Sequence, residues 1–143
     1  MNRSVIDPAF TGLIKQLVYL DENSTMLLDK FYPKFNRERK EIEELMNNYS
    51  ERLEQIVRNF KSDILQSVVL IGSRVTALNV LDGLNETYTI VLPQHSDIDP
   101  YMVSYYSPIG RQLLLNQLGE TITVTTPAST YDLTICKIEF LIY

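Results

Sequence analysis

The sequence predicts an α+β chain. An antiparallel helical hairpin, a short coiled coil, is expected over residues 1–66, and an antiparallel sheet with one short helix over 67–143. Three observations predict it. Apolar residues recur at spacings of three and four through the N-terminal half. They alternate with period two through the rest, between turns marked by Gly, Pro and Asp. Between two of the alternating runs, Ser107-Pro108 has the form of a helix start.

The first helix is carried by Phe10, Leu13, Ile14, Leu17, Leu20, Leu27, Leu28 and Phe31. Asp21-Glu22-Asn23-Ser24 interrupts this stripe, so the helix either runs on from Pro8 to Phe31 or breaks and restarts at Ser24. Pro33 marks the turn, because a proline disfavours helical backbone in the residue before it. The second helix has the cleaner stripe: Ile42, Leu45, Met46, Tyr49, Leu53, Ile56, Val57 and Phe60. Asn36 is its expected N-cap, with Glu38 in the first turn where the helix dipole favours an anion. Helices of about 25 residues would make a rod of ~35–40 Å at 1.5 Å per residue.

The strands follow in order. Val68–Leu78 and Glu86–Val91 alternate on either side of Asp82-Gly83, a turn signal. Pro93 to Pro100, with His95, is a loop, Tyr101–Tyr106 a strand and Pro108–Asn116 the short helix. The last two strands meet near Pro127-Ala128-Ser129-Thr130. Ser107 suits the N-cap of the short helix, since its hydroxyl can accept from an unpaired N–H of the first turn. Pro108 then occupies the first helical position, where its missing N–H costs nothing.

Composition narrows the function. Of 143 residues, 45% are apolar, enough for a core, and no run approaches the ~20 residues that span a bilayer. No secretory leader pattern stands at the N-terminus, and a single cysteine, Cys136, allows no internal disulfide, so a cytoplasmic setting is expected. Cys136 falls in a strand-like run and is expected in the core, and His95 is expected exposed in its loop. One Cys and one His make a zinc site of the usual ligands untenable, and no cofactor is expected. The net charge is −5, split into −1 over residues 1–66 and −4 over 67–143. A duplex-binding module would show a basic face, so the partner of the C-terminal half is expected to be protein, not DNA.

The run Tyr105-Tyr106-Ser107-Pro108-Ile109-Gly110-Arg111-Gln112-Leu113-Leu114 resembles the Ser-Pro-Ile-Gly/Ala-Arg-x-Leu-Leu signature of the bacterial Gre transcript cleavage factors. Upstream, Val68–Leu78 resembles that family's first strand pair with its central glycine, and Glu86–Val91 the next strand. Downstream, Leu118–Pro127 is similar to the family's Gly-acid-x-Val-x-Val-x-x-Pro segment, and Tyr131–Phe140 to its closing strand. The resemblance covers about half the chain, in order. It implies an FKBP-like C-terminal domain, binding to RNA polymerase at the secondary channel, and modulation of transcription elongation by a non-enzymatic, monomeric factor. Carried over residue by residue, it makes Ser107, Pro108, Ile109, Gly110 and Arg111 the polymerase contact. Taken as structure alone, Ser107 and Pro108 start a helix while Ile109, Leu113 and Leu114 fill the core, and the two roles are compatible.

The family's hairpin tip carries acidic residues that help hold a catalytic magnesium ion. This chain has Asp29-Lys30-Phe31-Tyr32-Pro33-Lys34-Phe35-Asn36-Arg37-Glu38 there instead, aromatic and mostly basic. Asp29 and Glu38 flank the turn, either facing each other across it or as ordinary solvated helix ends. Asp21 and Glu22 form a second acidic corner if the first helix breaks. Little stimulation of transcript cleavage is therefore expected. The non-cleaving members, including the regulators of nucleoside diphosphate kinase, are the nearest functional analogues. Phe31, Tyr32 and Lys34 complete the tip, and Lys30, Lys34, Arg37, Arg39 and Lys40 concentrate around it. Two other classes remain: an isomerase-type enzyme with a cleft lined by Tyr88, Tyr101, Tyr105, Tyr106 and Tyr131, and a coiled-coil interaction module.

Overall fold

A computed structural model describes residues 7–96 and 101–141. Residues 97–100 of the expected loop lie outside them. The chain divides into two compact units, residues 1–61 and 62–143, with a short 3₁₀ turn, Ser62–Gln66, opening the second.

In the first unit, α1 (Pro8–Phe31) and α2 (Arg37–Arg58) form the hairpin. Of the two readings of α1, the uninterrupted one holds. Asp21 and Glu22 lie on its exposed face and make no corner. Within the unbroken helix, Asn23 donates its side-chain amide to the carbonyl of Tyr19, 2.8 Å away. The Asp7 carboxylate caps the start by accepting from Ala9 N, with Pro8 at the first position. Leu13, Leu20, Leu27 and Leu28 of α1 are buried, as are Ile42, Met46, Tyr49, Leu53 and Ile56 of α2. Ile14 and Phe31 point outward. Tyr49 donates its hydroxyl to the Gln16 amide across the pair, and Phe10 packs on Phe60 with ring centroids 5.1 Å apart. Asn36 caps α2 by accepting from Arg39 N at 3.1 Å.

The second unit is a five-stranded sheet in the order β3-β2-β1-β5-β4. Its strands are β1 (Ser73–Asn79), β2 (Asn85–Val91), β3 (Met102–Ser104), β4 (Thr121–Thr125) and β5 (Thr130–Phe140), and α3 (Pro108–Leu113) follows β3. The sheet is mixed, not antiparallel throughout. β3 pairs parallel with β2, through Thr89↔Met102 to Val91↔Ser104. The long connection after β2 carries the chain back to the sheet end from which β2 began, where a tight turn would have reversed it. The β1–β2, β1–β5 and β4–β5 pairs are antiparallel.

Three further expectations need correction. Val68–Ile71 is buried but is not part of β1. A turn diverts it: Ser73 N donates to Leu70 O, the Ser73 hydroxyl accepts from Leu70 N, and Gly72 takes a φ of +104°. An added Cβ at Gly72 would meet the Phe140 ring at 2.9 Å, so glycine suits both the turn and the close approach. The diverted run bonds instead to the chain after α3, through Val69 N to Asn116 O and Leu115 N to Val69 O. Cys136 is exposed, not in the core. Thr76 pairs with Lys137 and Ala77 with Ile135, so Cys136 is the extra residue of a β-bulge. The bulge turns both Cys136 and Lys137 outward while Ile135 and Ile138 stay inside. His95 lies half-buried in a 3₁₀ turn, Pro93–His95, and not exposed in an open loop.

Candidate functional site

The Ser107–Arg111 segment is built from the end of β3. Tyr105 and Tyr106 are both buried, with ring centroids 4.4 Å apart, and they anchor the chain just before the turn. Ser104 then organises it. Its hydroxyl accepts from Tyr106 N at 3.0 Å. Its carbonyl receives both the backbone N–H and the hydroxyl of Ser107, at 2.9 and 2.7 Å. The Ser107 hydroxyl in turn accepts from Gly110 N at 3.0 Å, the N-cap bond expected from the sequence. Pro108 opens α3, and Arg111 N closes the first turn on Ser107 O at 2.9 Å.

Gly110 is buried against this arrangement. A Cβ there would stand 2.1 Å from the Ser104 carbonyl oxygen, so a side chain requires β3 and α3 to separate. Ile109 is half-buried on a cluster of Ala77, Val124 and Leu133, beside Tyr88, Ile122 and Tyr131. It thus serves the core and offers only its remaining surface to a partner. Pro108 and Arg111 are half-exposed. On the far side, Gln112 acts as a surrogate strand for the end of β4. Its amide donates to Thr125 O at 2.7 Å and accepts from Thr125 N at 2.9 Å. Asn116 closes α3 by donating to Gln112 O at 2.6 Å. The turn is therefore fixed at both ends before any partner arrives.

The tyrosines of the alternative, isomerase-type reading do not gather into one cleft. Tyr105 and Tyr106 are core residues. Tyr88 and Tyr101 line an open groove of about 580 Å³ with Arg74, Thr87 and Met102. Tyr131 lies beside Tyr88, whose hydroxyl donates to Glu86 at 2.5 Å. Burial, the bond to Glu86 and the negative charge of Glu86 all push the Tyr88 hydroxyl well above the usual tyrosine range. Burial, followed by the Glu86 charge, raises Tyr131 as well.

At the hairpin tip, the residue opposite Asp29 is Arg39. Its guanidinium donates to the Asp29 carboxylate at 2.9 Å and to Tyr32 O at 3.0 Å, and lies 4.5 Å from the centre of the Phe35 ring. Tyr32 is the C-cap of α1, so Arg39 fastens the end of one helix to the start of the next. Glu38 is exposed in the first turn of α2, one residue and ~100° away from the inward direction that Arg39 takes. Lys34 is exposed, and Lys30 lies 5.4 Å from the Phe31 ring centre. By residue type alone, Arg39 belongs with the surface cations of the tip. The signal that could have found it is its spacing of three from Ile42, which continues the buried stripe of α2. No group of three or more His, Cys, Asp or Glu side chains among the described residues could hold a metal ion. Among the described residues, no helix is long and apolar enough to cross a membrane.

A helical hairpin followed by a mixed sheet with a Ser-Pro-capped helix is a two-part α+β architecture. The model of the family "Transcription elongation factor, GreA/GreB, C-term" matches residues 64–140, just over half of the chain, and the chain belongs to that family. It is 35% identical over 74 residues to transcription elongation factor GreA of Legionella pneumophila (strain Corby), covering 52% of this chain and 46% of that protein. It is 37% identical over 76 residues to GreA of Streptococcus pneumoniae (strain Hungary19A-6), covering 53% and 48%. The chain thus matches about half the length of these curated relatives. Among solved structures it is similar to GreA/GreB from Nitrosomonas europaea, with a TM-score of 0.54, 19% identity, and coverage of 83% of this chain and 93% of that one. That likeness is one of fold.

Proposed function

We propose that this chain binds RNA polymerase at the secondary channel and modulates elongation as a regulator, not as an enzyme, with little stimulation of transcript cleavage. The fixed Ser107–Arg111 turn is the observation that carries this reading. It stands inside the segment matched by the family model, and its surface is set without a partner. The weak cleavage activity is supported by the tip. Asp29 is occupied by Arg39, and the residues around the turn are mainly aromatic and basic, where hard carboxylate oxygens would be needed for magnesium.

The test uses the full chain and bacterial core RNA polymerase. Wild type should be retained by the polymerase and should inhibit, in a concentration-dependent way, cleavage stimulated by an authentic Gre factor in backtracked complexes. The inhibition should fade as that factor is raised, as mass action requires. Pro108→Ser with Arg111→Ala should lose binding while keeping the thermal transition. Ile109 is left alone because it packs on the core. Binding that survives the double substitution would remove the turn from the interface. Robust cleavage by this chain alone would revive the full metal-assisted mechanism.

A further inference from the structure

The β1–β2 hairpin ends in Val80-Leu81-Asp82-Gly83-Leu84, and its apolar side chains face outward. Leu81 is 89% exposed, Leu84 65% and Val80 54%. Most exposed aliphatic residues are isolated and need no explanation, but three within five positions at one turn make a patch. The turn is also rigid. The Asn79 side chain accepts from Leu81 N at 3.0 Å, and the Asp82 carboxylate from Leu84 N at 2.9 Å. Gly83, with a φ of +73°, donates to Asn79 O, and Asn79 N donates to Leu84 O, both at 2.9 Å. Val80 N is held by Asp132 O at 3.1 Å. Leucine side chains on a pre-ordered turn lose little backbone entropy on docking, which favours their use as an anchor.

We infer that this hairpin is a second contact with RNA polymerase, in which Leu81 and Leu84 enter an apolar pocket rimmed by lysine or arginine. The inference rests on the polymerase-binding reading above and adds to it the site and the chemistry of the pocket. Two observations choose the occupant. The first is charge. No Lys or Arg occurs between Arg74 and Arg111, and the hairpin carries Asp82, Glu86 and the adjoining Asp132. Two copies meeting through it would set these carboxylates against each other, whereas a cationic rim would complement them. The second is continuity with the Ser107 turn. Asn79 donates to Glu86 at 3.0 Å, Tyr88 donates to the same carboxylate, and Tyr88 packs with Ile109 against Ala77, Val124 and Leu133. A chain of direct contacts thus joins the hairpin to the turn that opens α3.

The experiment compares the full-length wild type with Leu81→Ser/Leu84→Ser for binding to bacterial core RNA polymerase, at low and raised salt. Asn79, Asp82 and Gly83 are retained, so the turn and the thermal transition should persist. The double variant should bind about tenfold or more weakly, the scale of losing an interface anchor. Wild-type association should slow as salt rises. Wild-type binding with an unchanged affinity for the double variant would overturn this inference and leave the Ser107-turn reading standing. No polymerase binding by wild type would overturn both. A dimer in light scattering that the double substitution abolishes would assign the patch to a second copy and overturn the polymerase pocket.

Discussion

Replacing Arg39 by methionine removes the guanidinium but keeps most of the aliphatic stem. The Arg39 side chain is 9% exposed and its partner Asp29 61% exposed, so the pair is asymmetric. The ion pair itself is worth only ~0.5 kcal/mol, because one member is solvated. The bond to the Tyr32 carbonyl has a charged donor and contributes ~1.5 kcal/mol. The cation–π contact with the exposed Phe35 ring adds ~0.5 kcal/mol. Together these predict a loss of about 2–3 kcal/mol for Arg39→Met. Arg39→Ala should cost more, since it also removes buried methylenes. Asp29→Asn keeps an acceptor for the guanidinium and should cost ~0.5 kcal/mol or less. Urea unfolding followed by far-UV circular dichroism reads this directly, because α1 and α2 supply most of the helical signal. Hydrogen exchange at Tyr32 should accelerate in parallel, because its N–H, bonded to Leu28 O, sits in the last turn that Arg39 fastens. If Arg39→Met unfolds within ~0.5 kcal/mol of wild type, or if Asp29→Asn costs as much, the latch does not hold the tip.

Three other outcomes are expected. Leu133→Ala should destabilise the sheet unit by ~2–5 kcal/mol in chemical denaturation, because Leu133 is fully buried in the cluster beneath Ile109. Gln112→Ala should cost ~1–2 kcal/mol and release the end of β4, seen as faster amide exchange at Thr125, since the Gln112 amide is what pairs with that residue. The sheet unit should lose stability as pH rises above ~10, because Tyr88 and Tyr131 hold their protons more tightly folded than unfolded. That contribution is fully present below the unfolded tyrosine range and disappears as the pH climbs toward the folded one, so Tyr88→Phe should flatten the alkaline limb of a pH–stability curve.

What was legible in the sequence divides along physical lines. Local signals are legible. The stripe of α2, the Asn36 and Ser107 caps, Pro108 at the helix start and the Asp82-Gly83 turn are each fixed by neighbours within four residues. What is not legible depends on distant partners. Val68–Ile71 is an apolar run that reads as part of the first strand, but Val69 pairs with Leu115 and Asn116 after α3, and no local pattern announces that. The parallel pairing of β3 follows from the path of a long connection. The exposure of Cys136 follows from one extra residue in a ladder whose other side lies sixty positions away in β1. At the tip, charge hid the answer. Arg39 fits the buried stripe by spacing but belongs by residue type with solvated cations, and its place opposite Asp29 depends on the turn geometry.

In the proposed reading, helix-start chemistry and partner recognition share the residues of the Ser107 turn. A hydroxyl that accepts from Gly110 N and donates to Ser104 O is held from both sides, so the backbone that carries Pro108 and Arg111 is set by folding. Gly110 then fits only because nothing projects toward the Ser104 carbonyl. Beneath them, Ile109 couples the turn to Ala77, Val124 and Leu133, and through Tyr88 to Glu86 and the hairpin. A partner that meets this surface therefore meets groups already ordered by folding, and the entropy of fixing them is not charged to binding. Substitutions at Pro108 or Arg111 should accordingly act on affinity with little effect on stability, while substitutions at Ile109 or Gly110 act on both. The contrast between those two pairs separates a recognition role from a structural one at adjacent positions in a single turn.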